Sequence, residues 1–452
     1  MSSDSRPLAD RPSFPRGEIR ALTGLRLVAA LVVVIGHFRP ILFPYLDQLA
    51  LLRPILDAGW LGVEVFFVLS GFVIARSYIE EVGGRFTLAK AATFVFNRFA
   101  RVWPVWALLT TLMAGWILAV RWKGANADVW LLHPEVSPTA YLEQLSMTQM
   151  WGVDSIVGPS YVMPGWSISA EWLAYLAFPL LAVVLFPLRR LSPAVLLALA
   201  TLLMTPMAVT AYLDGPLDPE VPWLYRLACS FVAGMLVAIG SLGLQRTRRV
   251  EQFAFALSVA CTLMFVVLCF WASWRRAGDT AHDYAGVSVF LFPALVGALS
   301  LTDRGPAAWL SRDLVVYGGR ISYCLYLVHF PVFDVLLTCV WQGQDPALRV
   351  VTPGLALVAP FAIAASVLLS MALHHGVEVP ARALLLRGRS RVLERLARRR
   401  SVPAGPPPET DVIPVPRRTG AVHGAGAGAR GARALPAVPS RARSRETVGP
   451  RS

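Results

Sequence analysis

Residues 22–43 read LTGLRLVAALVVVIGHFRPILF. A bilayer core takes about 20 apolar residues in a helix, so this stretch is long enough to cross one. It is too long for the apolar core of a signal peptide, and no small-residue cleavage site follows. Comparable stretches fall near 59–79, 102–121, 166–187, 194–212, 222–241, 252–272, 285–301, 317–341 and 353–374. The pattern predicts an all-α polytopic membrane protein, a bundle of about ten transmembrane helices. Composition agrees: 56% of the chain is hydrophobic and 15% charged, whereas soluble domains carry about 25% charge.

The basic residues orient the bundle. With the N-terminus inside, the cytoplasmic connections hold Arg85, Lys90, Arg98, Arg101, Arg189, Arg190, Arg246, Arg248, Arg249, Arg304 and Arg312. The outer ones hold fewer: Arg53, Lys123, Arg275, Arg276 and Arg349, with an acidic loop of Asp214, Asp218 and Glu220. The positive-inside rule therefore predicts both termini in the cytoplasm. The net charge of +14 lies beside apolar spans, which points to topology and not to nucleic acid. Three regions are expected: a cytoplasmic segment 1–20, a membrane domain 21–387, and a basic tail 388–452 rich in Arg, Pro, Ala and Gly. The tail lacks hydrophobic periodicity and is predicted to be disordered, near anionic lipid. The outer segment 122–165 is long enough for a lid. All five cysteines lie in apolar spans without metal-ligand spacing. They read as small buried hydrophobes, and no metal is predicted.

Polar residues inside the spans carry the functional signal, because intramembrane charge costs roughly 2.5–3.5 kcal/mol per group by insertion scales. Arg26 and His37 are eleven positions apart in the first span. That is close to three turns, so they share a face, with His37 about 16 Å farther along. A snorkelling arginine and a structurally bonded histidine are the plain alternative. In the second span, GVEVFFVLSGF from Gly62 places Glu64 at a similar predicted depth to His37, where a carboxylate can orient an imidazole. Glu64 can equally reach the outer interface. Gly62 and Gly71 suit close helix packing. The fourth span opens WSISAEW from Trp166, with Ser167 and Glu171 on one face. Its tryptophans suit either a sugar ring or an interfacial belt. Arg226, in the sixth span, stands near the outer surface, where it would meet an acceptor. The ninth span carries Ser322, Tyr326 and His329 as one polar stripe. Arg98 and Arg101, at the entrance of the third span, match phosphate geometry or are ordinary inside charge. A secondary transporter would also carry such residues, although the two related halves common in transporters are not seen.

Taken together, these segments resemble the acyltransferase-3 family of bacterial integral membrane O-acyltransferases, over about residues 20–385. Arg26 and His37 match its Arg-x10-His pattern. Gly62–Phe72 resembles its Gly-x-Asp/Glu-x-Phe-Phe-x-Leu-Ser-Gly-Phe stretch. Arg98, Arg101 and Pro104 match Arg-x-x-Arg-x-x-Pro, with Asn97 where another basic residue is common. Trp166–Tyr175 is similar to Trp-Ser-x-Ser-x-Glu-x-x-x-Tyr. Ser322–Pro331 matches Ser-Tyr-x-x-Tyr-x-x-His-x-Pro, and Glu378 and Pro380 fit the closing Glu-x-Pro.

The resemblance implies an enzyme of the bacterial cell membrane that moves an acyl group, acetyl above all, from cytoplasmic acyl-CoA to an outward-facing hydroxyl. Acceptors in the family include lipopolysaccharide, exopolysaccharide, peptidoglycan and macrolide sugars. Acyl-CoA is a substrate, and no permanently bound cofactor is implied. The residue assignments expected on this basis are as follows. Arg98, Arg101 and Arg26 bind the donor phosphates. His37 acts as general base, or carries the acyl group covalently, with Glu64 and Arg26 supporting it. Trp166, Glu171, Arg226, Tyr326 and His329 line the acceptor side. A single tunnel is expected to contain both Arg26 and His37.

Overall fold

Every predicted apolar stretch becomes a helix. The computed structural model describes residues 17–46, 51–130, 132–153, 155–213, 223–276, 284–345, 349 and 351–400. Ten helices among them are long and apolar enough to cross a membrane, and no strand occurs among the described residues. We name them α1 (Arg20–Leu46), α2 (Leu61–Tyr78), α3 (Leu88–Trp122), α4 (Gly165–Leu185), α5 (Pro193–Leu213), α6 (Trp223–Leu242), α7 (Arg248–Arg276), α8 (Leu291–Leu301, entered by a 3-10 segment Tyr284–Phe290), α9 (Asp313–Trp341) and α10 (Pro353–Leu373). A π-helical turn, His374–Glu378, joins α10 to α11 (Val379–Arg400).

Helix contact here depends on small residues, because lipid supplies no hydrophobic drive between helices. A Cβ at Gly71 of α2 would strike the Phe231 carbonyl of α6, and one at Gly234 of α6 would strike the Val68 carbonyl of α2. Gly62 of α2 lies equally close to the Ala29 carbonyl of α1, and Gly319 of α9 to the Thr23 carbonyl of α1. These contacts set two registers. Antiparallel α1 and α2 meet with Gly62 opposite Ala29, which puts Glu64 near the level of Arg26. Parallel α1 and α9 meet so that His37 faces His329.

Two boundaries differ from the sequence reading. The third helix starts at Leu88, capped by the Thr87 hydroxyl, which accepts from the Lys90 amide at 3.2 Å. Its 35 residues make a rod of about 52 Å, longer than the roughly 30 Å of hydrocarbon. Arg98 and Arg101 therefore sit well inside a helix and not at its entrance. The reason is local: Phe94, Ala100 and Val102 give 88–101 a buried apolar face, so the helix continues although the segment is basic. The boundary at 387 is likewise no structural break, since α11 runs on to Arg400 through strong helix formers (Leu, Ala, Arg, Glu). Residues 1–16 and 401–452, and the acidic Asp214, Asp218 and Glu220, lie outside the described residues.

The segment expected as a lid is packed down. The short helix Pro138–Leu145 lies against α3: Trp103 Nε1 donates to the Leu145 carbonyl at 3.0 Å, and Trp106 Nε1 to that of Gln144 at 2.6 Å. Met147, Met150 and Tyr161 are wholly buried beneath it.

Candidate active site

Helices α1, α2, α3, α4 and α9 enclose a cavity of about 820 Å³, counting its solvent-open part. Arg26, Arg98 and Arg101 line it together with Ser70, Glu171 and Tyr326. The three arginines singled out as phosphate ligands thus converge from two helices on one space. Among the described residues neither Arg26 nor Arg98 has a carboxylate partner. The Arg98 guanidinium stands 5.7 Å above the Tyr78 ring, and its Nε is buried without a hydrogen bond. Arg101 alone is balanced, with Nη1 2.9 Å from Glu378 Oε1. Glu171 shares the cavity and its charge acts on Arg26, so three guanidinium groups face two carboxylates, one of them already paired with Arg101. Surplus positive charge that is partly buried is costly, and an anion would offset it.

The sequence reading missed the frame behind these arginines. Glu378 comes from the π-helical turn, where it also takes hydrogen bonds from Cys324 Sγ at 3.3 Å and His374 Nδ1 at 2.7 Å. Arg382, one turn farther on, lies in the field of Arg101, Arg98 and Glu378, with its Nε buried and unbonded. The Glu-x-Pro match pointed to Glu378; no motif pointed to Arg382. Cys324, His374 and Glu378 place ligand atoms within 4.8 Å of one another, the one group among the described residues with metal-ligand spacing. Arg101 already neutralises Glu378, and a second cation there would be repelled.

Several assigned residues have other partners. Glu64 does not support His37. It is fully buried, pairs with Arg226 (Oε1 to Nη2 2.6 Å and Nε 2.7 Å) and accepts from Ser230 at 2.9 Å. The α1–α2 register explains this, because Glu64 lies near the level of Arg26, ten or so residues short of His37. Arg226 is consumed by the same pair and packed over the rings of Trp166 (5.0 Å) and Trp60 (5.7 Å), so it cannot meet an acceptor. Trp166 is 5% exposed, a core residue and not a belt. Glu171 faces the arginine cavity instead of the acceptor side, and accepts from Ser70 at 2.7 Å and Tyr175 at 2.6 Å.

The partner of His37 is His329: Nδ1 and Nε2 are 2.9 Å apart, and the rings meet edge to edge, with centroids 5.1 Å apart and planes 24° apart. His329 is fully enclosed, with Nδ1 3.1 Å from the Leu325 carbonyl, while His37 is partly exposed. The arginine cavity stops one turn short of this pair. Tyr326 closes it, its hydroxyl 2.8 Å from Ser167 Oγ and its ring 6.1 Å from that of His329. His37 is not among the cavity's lining residues. The single tunnel expected from the sequence is therefore divided at Tyr326.

The molecule is thus a multi-pass membrane protein holding an arginine-lined cavity beneath a histidine pair. Residues 19–375 match the acyltransferase-3 family, described as an acyltransferase domain, and the chain belongs to that family. It is similar to acyltransferase MdmB of Streptomyces mycarofaciens, 28% identical over 87% of this chain and 96% of that protein. It is also similar to nodulation protein 10 of Rhizobium leguminosarum bv. viciae, 25% identical over 63% of this chain and 74% of that one. Peptidoglycan O-acetyltransferase OatA of Listeria monocytogenes serovar 1/2a is 22% identical over 74% of this chain, which spans 52% of its length. No solved structure matches the chain. Family membership makes the chain a membrane O-acyltransferase and decides against the transporter alternative.

Proposed function

We propose that the chain transfers an acyl group, acetyl in the first instance, from cytoplasmic acyl-CoA to a hydroxyl of an envelope carbohydrate or a secreted glycoside, in a bacterial cell membrane. The observation that supports the donor assignment is the convergence of Arg26, Arg98 and Arg101 on one cavity, where they outnumber the two nearby carboxylates, Glu171 on the wall and Glu378 paired with Arg101. Coenzyme A brings phosphates, and guanidinium groups bind these through a planar fork of donors. The thioester, at the end of the thin pantetheine arm, then passes Tyr326 to reach the level of His37. This requires the Tyr326–Ser167 hydrogen bond to open. A sugar hydroxyl is far too weak an acid to attack unaided at neutral pH, and His37 serves as its general base. The acceptor class has support from the name of one relative, a peptidoglycan O-acetyltransferase.

Acetyl-CoA tests this reading. Replacing both Arg98 and Arg101 by Gln should weaken acetyl-CoA binding by about 10-fold or more, as expected for lost charge-assisted bonds, while the rate at saturation changes less. His37→Gln should abolish transfer and leave acetyl-CoA affinity unchanged. Unaltered affinity in the double arginine variant would refute the donor site.

A further inference from the structure

We infer that His329 is a positioning residue that fixes the tautomer of His37 and leaves His37 Nε2 as the basic atom. The inference rests on the reading of His37 as the base and adds the device that prepares it.

The hydrogen-bond chain has only one direction. A carbonyl oxygen accepts and never donates, so at 3.1 Å from the Leu325 oxygen His329 Nδ1 must carry a hydrogen. His329 is wholly enclosed, and its neighbours include that carbonyl, the backbone of Tyr326 and the rings of His37, Tyr326 and Phe330, with no carboxylate partner among the described residues. A buried cation with no carboxylate beside it is costly, so the ring is neutral, and Nε2 holds a lone pair. His37 Nδ1, 2.9 Å from that lone pair, must then be the donor. A neutral imidazole has one N–H, so the remaining nitrogen of His37, Nε2, is unprotonated. Hydrogens thus point from His37 to His329 to Leu325. The helix packing that builds the chain is the close approach of Gly319 to the Thr23 carbonyl, which sets α9 against α1.

The arrangement suits the transfer step. As the acceptor oxygen attacks the thioester carbonyl, its proton passes to His37 Nε2. The new C–O bond forms, the C–S bond breaks, and the coenzyme A thiolate leaves. That thiolate takes the same proton from Nε2, which regenerates neutral His37 and gives the ester and free CoA thiol. While His37 is an imidazolium, its Nδ1–H bond to His329 becomes charge-assisted and stronger. His329 therefore holds the ring, selects the tautomer and supports the transient charge without touching substrate. It belongs to this device and not to the acceptor surface.

The test uses the full-length protein in native-membrane vesicles, with acetyl-CoA as donor and CoA thiol release as readout. His329→Phe keeps a ring in the space and removes the acceptor nitrogen. The rate at saturating acetyl-CoA should fall about 100-fold or more, the usual worth of a general base, with KM for acetyl-CoA unchanged within about twofold. His329→Gln offers an amide oxygen that accepts from His37 Nδ1, and should recover about tenfold over the Phe variant, as one restored hydrogen bond allows. Equal rates for the Gln and Phe variants would overturn the inference, since a packing role alone does not distinguish an acceptor from an apolar ring. If His37→Gln is inactive while His329→Phe turns over like wild type, the base reading stands and the positioning role falls. If His37→Gln itself keeps the wild-type rate, both fall.

Discussion

Glu64 and His37 both stand out in the sequence as polar groups in apolar helices, yet their partners reverse the assignment of one of them. Spacing along a helix tells which residues share a face. It does not tell how far one helix slides along another, and that slide gives Glu64 to Arg226 and His37 to His329. The Glu64–Arg226 pair, enclosed by Trp60 and Trp166, is a buried ion pair whose two members depend on each other. Removing one partner of such a pair typically costs about 3–5 kcal/mol, whereas removing both can be neutral. Arg226→Met should therefore lower the detergent-state unfolding temperature sharply. Adding Glu64→Leu to it should restore most of the loss. A single variant as stable as the double would show that the pair contributes nothing. The meeting of Arg26, Arg98 and Arg101 was more legible, because all three lie near the same membrane face and line one cavity. Arg382 was not, since nothing in a basic run sets one arginine apart.

At the scale of elements, hydropathy located all ten spans, whereas amphipathic segments were placed badly. The start of α3 and the whole of α11 carry too much charge to read as membrane helix. The buried face of α3 accounts for its early start, whereas α11 has no buried residue among those described and continues on strong helix formers. In sequence the outer segment shows only a length sufficient for a lid, and its fold rests on specific clasps. One is His133, whose Nδ1 lies 3.2 Å from Asp128 and whose Nε2 lies 3.3 Å from the fully enclosed Asp334 of α9. Burial by itself would pull the His133 pKa down. Hydrogen bonds and charge from Asp334, then from Asp128, outweigh it and set the pKa above the ordinary 6.5. A pKa raised by folding gives stability that is fully present below about 6.5 and is lost as pH rises through the folded value. Hydrogen exchange in residues 124–137 should accordingly be slow near pH 6 and speed up at alkaline pH beyond the intrinsic increase. His133→Gln should abolish this extra pH dependence and exchange fast at both. A wild-type profile in that variant would remove the clasp from the account.

Across the whole molecule, the arginine cavity and the histidine pair lie at different depths of one bundle. Arg26 and His37 are eleven residues apart on α1, about 16 Å along its axis, and the charge-rich helix ends are on the Arg26 side. There Arg20 meets Asp313 at 2.5 Å and Arg320 meets Glu18 at 2.8 Å, and Arg246 pairs with Asp303. If the positive-inside rule orients the chain, this face is cytoplasmic, and the donor enters where coenzyme A is made. Acetyl-CoA is too highly charged to cross lipid, so the side from which it is consumed reports the orientation directly. Sealed inverted vesicles should release CoA thiol from added acetyl-CoA. Sealed right-side-out vesicles should not, until detergent opens them and the rate rises to match. Equal consumption by both sealed preparations would mean that the arginine cavity is not confined to the cytoplasmic face, and transfer across the bundle would lose its directional basis. Consumption by right-side-out vesicles alone would invert the topology while leaving the cavity chemistry in place.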